Sequence, residues 1–288
     1  MNKYESLKSL NSLKIFKFEG GQRVKNKYDV NEEQILSIIT VVKNSESTIE
    51  KTIQSVLSQK VENLEYIVID GNSSDNTLGI IKKYEDKIDY WCCIEDEGIY
   101  DAMNYGLKLS SGKIIGLINS GDIYTNDSLK TVLKYFKKKE DISFLFGTVN
   151  RHYLGGNVIK KVGFNRKRIK YNFDSVTCHS TGFFIKNNIQ KELGLYNTKY
   201  KCSSDYDLFY KLLIQNNYNG SSTTKEEIIG IVESGGFSSK YGYWKKLKEE
   251  MSIRIENNQS YFLILIIFFN SIIKHFFKLI KKKFILFR

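Results

Sequence analysis

Three apolar runs, rich in β-branched residues, dominate the first 120 positions of this 288-residue chain. They are ILSIITVV at 35–42, LEYIVID at 64–70 and KIIGLIN at 113–119. Continuous apolar runs of this length are typical of strands buried on both faces of a sheet. Segments with helical periodicity separate them, and strand–helix–strand units of this spacing form right-handed parallel crossovers. The pattern therefore predicts an α/β fold built on a parallel sheet.

The intervening segments carry helix signals. Ser47 and Glu50 have the S-x-x-E spacing of a capping box, and Asp75 is placed to cap the following helix. Helices are also predicted at 99–109, 127–139 and 203–217, and a single strand at 142–149. Residues 150–175 have weak periodicity, so no element is predicted there.

The net charge of +12 is concentrated near the C-terminal end. Residues 241–288 carry ten Lys or Arg against three Glu, whereas residues 35–240 carry only +3. Nucleic-acid-binding domains more often spread basic residues over a face of the folded core. The distribution therefore argues against nucleic acid as a partner.

The basic C-terminal segment has the composition of a membrane-associated helix. YFLILIIFFNSII (261–273) is apolar at eleven of thirteen positions, fewer than the roughly 20 residues of a bilayer span. Beyond it, Lys274, Lys278 and Lys281 fall on one helical face. We predict a helix lying in the membrane interface, with its lysines toward anionic headgroups. A core-packing helix and a tilted span with snorkelling lysines are the alternatives.

The cysteines and the N-terminal segment favour an intracellular location. Cys92, Cys93, Cys178 and Cys202 show neither CxxC spacing nor a secreted framework, so we expect no disulfide or metal role. The first 21 residues lack the apolar stretch of a signal peptide. With the basic tail, this predicts a cytoplasmic protein, peripheral at the inner face of the cytoplasmic membrane.

Acidic residues stand where two predicted strands end. Asp70 closes LEYIVID before the turn formers Gly-Asn-Ser-Ser, and Asp122 lies in the turn NSGD after KIIGLIN. Ligands of such sheets bind beyond the carboxyl ends of the strands. There, Asp70 is suited to a base or ribose, and Asp122 to a divalent metal beside a diphosphate. Both are also ordinary turn residues. Asp205 lies in a predicted first helical turn, where a carboxylate interacts favourably with the helix dipole.

A series of motifs follows one order along the chain. SIITVVKNSESTIEKTIQSVLSQ precedes EYIVIDGNSSDNT, which precedes EGIYDAMNYGLKLSSGKIIGLINSGDIY. The second half contains CHSTGFFIKNNIQKELGLYNTKYKCSSDYDLFYKLL. Together these segments resemble glycosyltransferase family 2, in its branch of bacterial surface-polysaccharide transferases, from about residue 35 to residue 240.

The resemblance implies the GT-A fold, an α/β architecture in which a Rossmann-like nucleotide-binding half continues into a mixed central sheet. The predicted organisation is an N-terminal extension (1–34), a glycosyltransferase domain (35–240) and a basic amphipathic tail (241–288). Within the domain, residues 35–125 form the nucleotide-binding half and residues 126–240 the acceptor half.

The resemblance also implies roles for individual residues. Asp122 would hold Mg²⁺ or Mn²⁺, and Asp205 would act as the general base on the acceptor hydroxyl. His179 would contact donor or acceptor, with a buried, hydrogen-bonded histidine as the alternative. The implied nucleotide-sugar site contains Thr40, Val42, Asp70, Asp96, Asn104, Asn119 and His179.

Two motifs depart from the family pattern. The metal turn is often D-x-D or D-x-D-D, but here Asn119 and Gly121 stand at acidic places, and Ser204 precedes Asp205 where a glutamate is common. Because Asp122 and Asp205 remain, we interpret the site as a variant active site. We expect it to bind metal weakly without the donor.

The resulting hypothesis is an inverting, metal-dependent glycosyltransferase. It would move a sugar from a nucleotide donor, predicted to be UDP-linked, to a lipid-linked glycan in lipopolysaccharide O-antigen or capsule synthesis. The alternatives are a catalytically silent nucleotide-sugar-binding module and a nucleic-acid-binding protein. A nucleotidyltransferase would need a glycine- and arginine-rich loop that KNSEST does not supply. Residues 234–242 are either a lid that orders on donor binding or a linker to the tail.

Overall fold

Two sheets organise the chain in the computed structural model. It describes residues 16–25, 34–153, 155–171, 179–233, 235–236 and 240–286. The larger sheet consists of β1 (Phe18–Gly20), β2 (Leu36–Val42), β3 (Leu64–Asp70), β4 (Tyr90–Cys93), β5 (Ile114–Asn119), β7 (Phe144–Phe146), β10 (Phe183–Lys186) and β11 (Gly220–Ser222). Its order is β1-β4-β3-β2-β5-β10-β7-β11. Strands β4, β3, β2 and β5 are parallel, whereas β1 and β10 run antiparallel to their neighbours. The predicted α/β architecture with a mixed central sheet is therefore confirmed.

The smaller sheet has four strands. They are β6 (Ile123–Tyr124), β8 (Thr148–His152), β9 (Val158–Lys161) and β12 (Ile228–Glu233), in the order β6-β12-β8-β9. The single strand predicted at 142–149 was wrong, because the chain passes from one sheet to the other at Gly147. The Gly147 N–H donates to the Gly182 carbonyl at 2.7 Å, and a side chain at Gly147 would collide with Ile229.

Helices cover both faces of the central sheet. They are α1 (Ile49–Leu57), α2 (Thr77–Lys83), α3 (Ile99–Leu109), α4 (Ser128–Lys138), α5 (Arg166–Tyr171), α6 (Asn187–Leu193), α7 (Ser204–Tyr210), α8 (Tyr243–Glu256) and α9 (Tyr261–Leu286), with a 3₁₀ turn at Ser180–Gly182 and a π turn at Lys211–Gln215 after α7. The predicted capping box does not form. Helix α1 begins after Thr48, and Glu50 instead accepts a hydrogen bond from the Tyr84 hydroxyl at 3.0 Å.

The alternation of side chains along each strand divides the core into two layers. Ile39 and Ile67 pack with Met103 of α3 on one face of the sheet. Ile38 and Val68 pack with α1 and α2 on the opposite face of the sheet. Helix α3 lies so close to β2 that a Cβ at Gly106 would collide with Ile39. This packing fixes the strand ends at which the candidate site lies.

The segment predicted as a tail consists of two packed helices. The Tyr243 hydroxyl of α8 lies 2.8 Å from the Ser271 hydroxyl of α9, and the Tyr243 ring stacks on His275 at 3.7 Å. Ile264 and Ile267 of α9 are buried. By length and composition alone, Tyr261–Ile280 is apolar enough to cross a membrane, with a mean hydropathy of 1.9.

Candidate active site

The ends of β2, β3 and β4 meet at one edge of the sheet. Val42 and Asp70 are direct neighbours in the parallel register, and the Gly71 N–H donates to the Val42 carbonyl at 2.8 Å. The Asp96 carboxylate packs so closely on Gly71 that a Cβ there would collide with it. The structure thus brings together three residues that the sequence predicted for the nucleotide-sugar site.

The Asp70 carboxylate is buried and closes the turn after β3. It accepts hydrogen bonds from the Ser73 N–H at 3.0 Å and the Ser73 hydroxyl at 2.5 Å. The Cys93 thiol also donates to it, and burial together with this contact raises the pKa of Cys93 to about 11. These contacts are those of the turn-forming alternative, although a carboxylate has about four acceptor positions and can take a further donor.

Asp96 is surrounded by donors. Its Oδ1 accepts the Gly98 N–H at 3.1 Å and lies 3.7 Å from Lys43 Nζ. The Lys43 side chain is 54% exposed, so its ammonium group is accessible from solvent at the edge where the strands end.

The turn after β5 brings Asp122 next to His179. Asp122 Oδ2 accepts a hydrogen bond from the Thr181 hydroxyl at 2.6 Å and lies 3.4 Å from His179 Nδ1. Burial raises the pKa of Asp122 to about 7, opposed by the Thr181 hydroxyl, the Glu233 N–H and the charge of Arg151. Burial, and then Arg151, lower the pKa of His179 to about 4. At neutral pH the imidazole is therefore uncharged. Its Nδ1 lies 3.2 Å from the Thr181 hydroxyl and 3.5 Å from the Thr181 backbone nitrogen, so the tautomer with its proton on Nδ1 leaves a lone pair on Nε2 for a metal.

Asp122 and His179 fit part of a divalent-metal site. A carboxylate oxygen and a neutral imidazole are suitable ligands, and phosphate and water commonly complete such a shell. Asn119 Oδ1, at the end of β5, is buried without a hydrogen-bond partner and offers a further oxygen. Within the described ranges, no three His, Cys, Asp or Glu side chains form a ready-made metal cluster.

Asp205 lies in the first turn of α7 and contacts the GIYDAMN motif of α3. Its Oδ1 accepts hydrogen bonds from the Tyr100 hydroxyl at 3.0 Å and the Tyr206 N–H at 2.9 Å. Burial raises the pKa of Asp205, against the lowering effect of these two donors and of Lys246. A carboxylate whose pKa is raised is a stronger base once it is ionised.

Two predicted site residues have inward-facing partners. The Asn104 amide donates to the Tyr196 carbonyl and accepts the Tyr196 N–H, both at 2.8 Å. Tyr196 in turn stacks on Tyr100, with ring centroids 5.6 Å apart. Asn104 therefore holds Tyr196 in place against the Tyr100 ring, whose hydroxyl donates to Asp205. Thr40 is buried within the sheet, and its hydroxyl pairs with the Tyr66 hydroxyl at 3.0 Å.

Helix α8 contacts the chain on both sides of Asp205. Glu249 accepts the N–H groups of Lys201 and Cys202 at 2.9 and 3.0 Å. Just after α8, the Asn257 amide donates to Asp207 Oδ1 at 2.9 Å. The first helix of the predicted tail is therefore part of the surroundings of Asp205.

The family of the chain follows from comparison with known proteins. The family described as "Glycosyl transferase family 2" matches residues 37–193, more than half of the chain. The chain belongs to glycosyl transferase family 2. The resemblance predicted from the motifs is confirmed, and the protein is a glycosyltransferase.

Relatives of this family 2 glycosyltransferase are distant in sequence. An uncharacterized glycosyltransferase of Rickettsia typhi is 25% identical over 255 residues, covering 80% of this chain and 77% of the relative. A PGL/p-HBAD biosynthesis glycosyltransferase of Mycobacterium bovis is 25% identical over 182 residues, covering 60% and 67%.

Solved structures establish the fold. S. aureus TarS 1-349 in complex with UDP-GlcNAc matches with a TM-score of 0.63 at 18% identity, over 83% of this chain and 72% of that one. Glucosyl-3-phosphoglycerate synthase from Mycobacterium tuberculosis, in complex with Mn²⁺, UDP and phosphoglyceric acid, matches with a TM-score of 0.54 at 15% identity, over 79% and 80%. The predicted GT-A fold is confirmed.

Three residues beside the candidate site were not predicted: Tyr100, Thr181 and Arg151. Tyr100 and Thr181 lie inside the quoted motifs GIYDAMN and CHSTG, so their positions were visible but their contacts with Asp205 and Asp122 were not. Arg151 lies in the stretch without periodicity, and no sequence signal marked it.

Proposed function

We propose that this glycosyltransferase transfers a sugar from a nucleotide donor to an acceptor hydroxyl with inversion, in a single displacement. The observation that supports this best is that the segment 96–100 connects the strand ends to Asp205. Its first residue, Asp96, packs on Gly71 at the strand ends, and its last, Tyr100, donates to Asp205. This connection would hold a donor at the strand ends and a base at Asp205 in one site.

Asp205 is the proposed general base. Tyr100 and Tyr206 both donate to Oδ1, so we assign Oδ2 to the acceptor hydroxyl. As the acceptor oxygen bonds to the anomeric carbon, the bond from that carbon to the diphosphate breaks, and the hydroxyl proton passes to Asp205. Positioned acid–base catalysis of this kind contributes about 10²- to 10⁴-fold.

Asp122 and His179 are the proposed metal ligands, with Mg²⁺ or Mn²⁺ as the ion. When bound, such an ion would stabilise negative charge on the departing diphosphate. Two matched structures are complexes with Mn²⁺, which is consistent with this assignment: mannosyltransferase PcManGT from Pyrobaculum calidifontis with GDP-Man, and glucosyl-3-phosphoglycerate synthase from Mycobacterium tuberculosis with UDP. A UDP-sugar is the proposed donor, because matched TarS structures contain UDP and UDP-GlcNAc.

The proposed acceptor is a lipid-linked glycan of a bacterial surface polysaccharide, O-antigen or capsule, met at the cytoplasmic face of the membrane. Helix α9 supports this proposal, because one side of it exposes at least half of each apolar side chain at Phe262, Leu265, Phe269, Ile273 and Phe276. Lys274 and Lys278 are also exposed, and they fall on a different stripe of the helix.

An interfacial placement of α9 is favoured over a span. Helix α8 runs beside α9, joined to it at Tyr243, and exposes Lys245 and Lys248. If α9 crossed the bilayer, α8 beside it would carry these charges into the hydrocarbon, at a cost of a few kcal/mol each. An in-plane helix keeps them in water while its apolar side enters the acyl region.

The decisive experiment combines a donor screen with a base variant. Nucleotide-sugars with and without Mn²⁺ are tested for thermal stabilisation, since a ligand of the native state raises stability by mass action. Transfer from the stabilising donor to a membrane extract is then compared between the wild type and Asp205→Asn. We expect retained donor binding and a loss of transfer of about 10²-fold or more. Equal transfer by the two proteins would refute the catalytic role of Asp205, whereas donor binding without any transfer by the wild type would leave the silent binding module.

A further inference from the structure

Arg151, on β8, is a partly buried cation that forms no ion pair at contact distance within the described part of the protein. Its Nε is buried and has no hydrogen-bond partner. Its guanidinium lies over the Tyr153 ring, 5.3 Å from the centroid, and no described carboxylate forms an ion pair with it. Burying one nitrogen of a guanidinium without a hydrogen-bond partner is costly, so such a group points to an anion that arrives with a ligand.

The register of the smaller sheet brings Arg151 to the same side as Asp122. Arg151 pairs with Val232 of β12, and on the other edge of β12 Ile123 pairs with Ile231. One step further along this register, Asp122 stands opposite Val232. Two strand spacings then separate the Cα atoms of Arg151 and Asp122 by about 10 Å. Paired residues of neighbouring strands point to the same face, so both side chains leave the sheet on one side.

The electrostatic contacts of Arg151 agree with this placement. Its charge acts on both Asp122 and His179, the two proposed metal ligands. Cα atoms about 10 Å apart on one face leave room for a ligand of diphosphate size between the two side chains. The planar guanidinium fork matches two phosphate oxygens at once, which an ammonium group cannot do.

We propose that Arg151 binds the diphosphate of the nucleotide-sugar donor, which would lie between the Arg151 guanidinium and the Asp122–His179 pair. This inference rests on the proposed function. During transfer the electron pair of the breaking sugar–oxygen bond stays on the diphosphate, and the fixed guanidinium stabilises the added negative charge. The arrangement also explains how the turn tolerates Asn119 and Gly121 at acidic positions: a protein cation supplies charge compensation that does not depend on metal affinity.

The test separates the diphosphate from the nucleoside. UDP, GDP, ADP, CDP and dTDP are titrated calorimetrically into wild-type protein with Mn²⁺, and the tightest binder and its parent nucleoside are carried forward. Arg151→Gln is expected to weaken the diphosphate roughly 10- to 100-fold and the nucleoside less than about 2-fold. Arg151→Lys, which keeps the charge without the fork, is expected to fall between. Lys160→Gln, on the neighbouring exposed strand β9, is the matched control and should bind as wild type.

Each outcome has a distinct meaning. If no nucleoside diphosphate binds wild-type protein, the donor proposal and this inference both fail. If the wild type binds and Arg151→Gln binds equally well, only the role of Arg151 is refuted. Equal weakening of nucleoside and diphosphate would mean that Arg151 supports the fold, which also refutes the inference.

Discussion

The Glu249 carboxylate accepts a hydrogen bond from the backbone N–H of Cys202 at 3.0 Å, three residues before Asp205. The same carboxylate accepts the Lys201 N–H at 2.9 Å and the Cys202 thiol at 3.2 Å. Residues 201 and 202 lead directly into α7, which carries Asp205. Helix α8 therefore links the exposed helix α9 to the loop that positions the proposed base.

Glu249→Gln is expected to lower kcat about 10-fold while the KM for donor changes less than about 2-fold. The amide retains one acceptor oxygen but sets its NH₂ group against a backbone N–H, a loss of about 1–3 kcal/mol at this contact. The substitution should displace only the loop that leads to Asp205, because other elements support the strand ends at which the donor is proposed to bind. Steady-state kinetics on Glu249→Gln, with Lys248→Gln on the same helix as control, measure the two constants. A rise in KM with unchanged kcat would contradict the positioning role.

Truncation after residue 260 is expected to release the protein from membranes and to preserve donor binding. The cut removes the exposed apolar side of α9 but keeps Asn257 with Asp207, and Gln259 with Arg254. Flotation with anionic vesicles and thermal shift with donor measure the two properties. Truncation after residue 242, which also removes Glu249, should instead abolish transfer. Membrane binding that survives the first cut would exclude α9 as the anchor.

Much of the proposed donor side of the candidate site was predictable from local patterns. Buried strands end where apolar runs end, and parallel strands end at one edge, so Val42, Asp70 and Asp96 could be expected to meet. The motif helix was predicted at 99–109 and observed at Ile99–Leu109.

What escaped prediction depends on partners distant in sequence. The Tyr100–Asp205 bond joins residues 105 positions apart. The strand break at Gly147 is set by Gly182 and Ile229, and Glu50 bonds Tyr84 instead of capping its own helix. Arg151 acquires its meaning only from the register of β8 against β12. None of these relationships leaves a periodic trace in the chain.

Asp122→Asn is expected to raise the melting temperature of the metal-free protein at pH 8 but not at pH 4. The pKa of Asp122 is about 7 in the folded protein, above its ordinary value, so the ionised form costs stability. That cost begins as pH rises above the ordinary value and is complete above about 7, with an upper bound of roughly 4 kcal/mol. Adding Mn²⁺ to the donor should give further stabilisation only in the wild type. Melting curves across pH, with and without Mn²⁺, measure both effects, and a variant less stable than wild type at pH 8 would contradict the argument.

Tyr100→Phe is expected to move the acid limb of the pH dependence of kcat/KM to higher pH. The Tyr100 hydroxyl donates to Asp205 and lowers its pKa, so removing that donor raises the pKa further above its ordinary value. The base acts only when ionised, and transfer is lost as pH falls through its pKa. On the acid limb the variant should therefore be slower, and the deficit should shrink as pH rises. Tyr135→Phe is the control, because it removes a tyrosine–carboxylate bond, to Glu227 at 2.6 Å, that lies outside the proposed site. An unshifted limb in Tyr100→Phe would mean that a group other than Asp205 takes the proton.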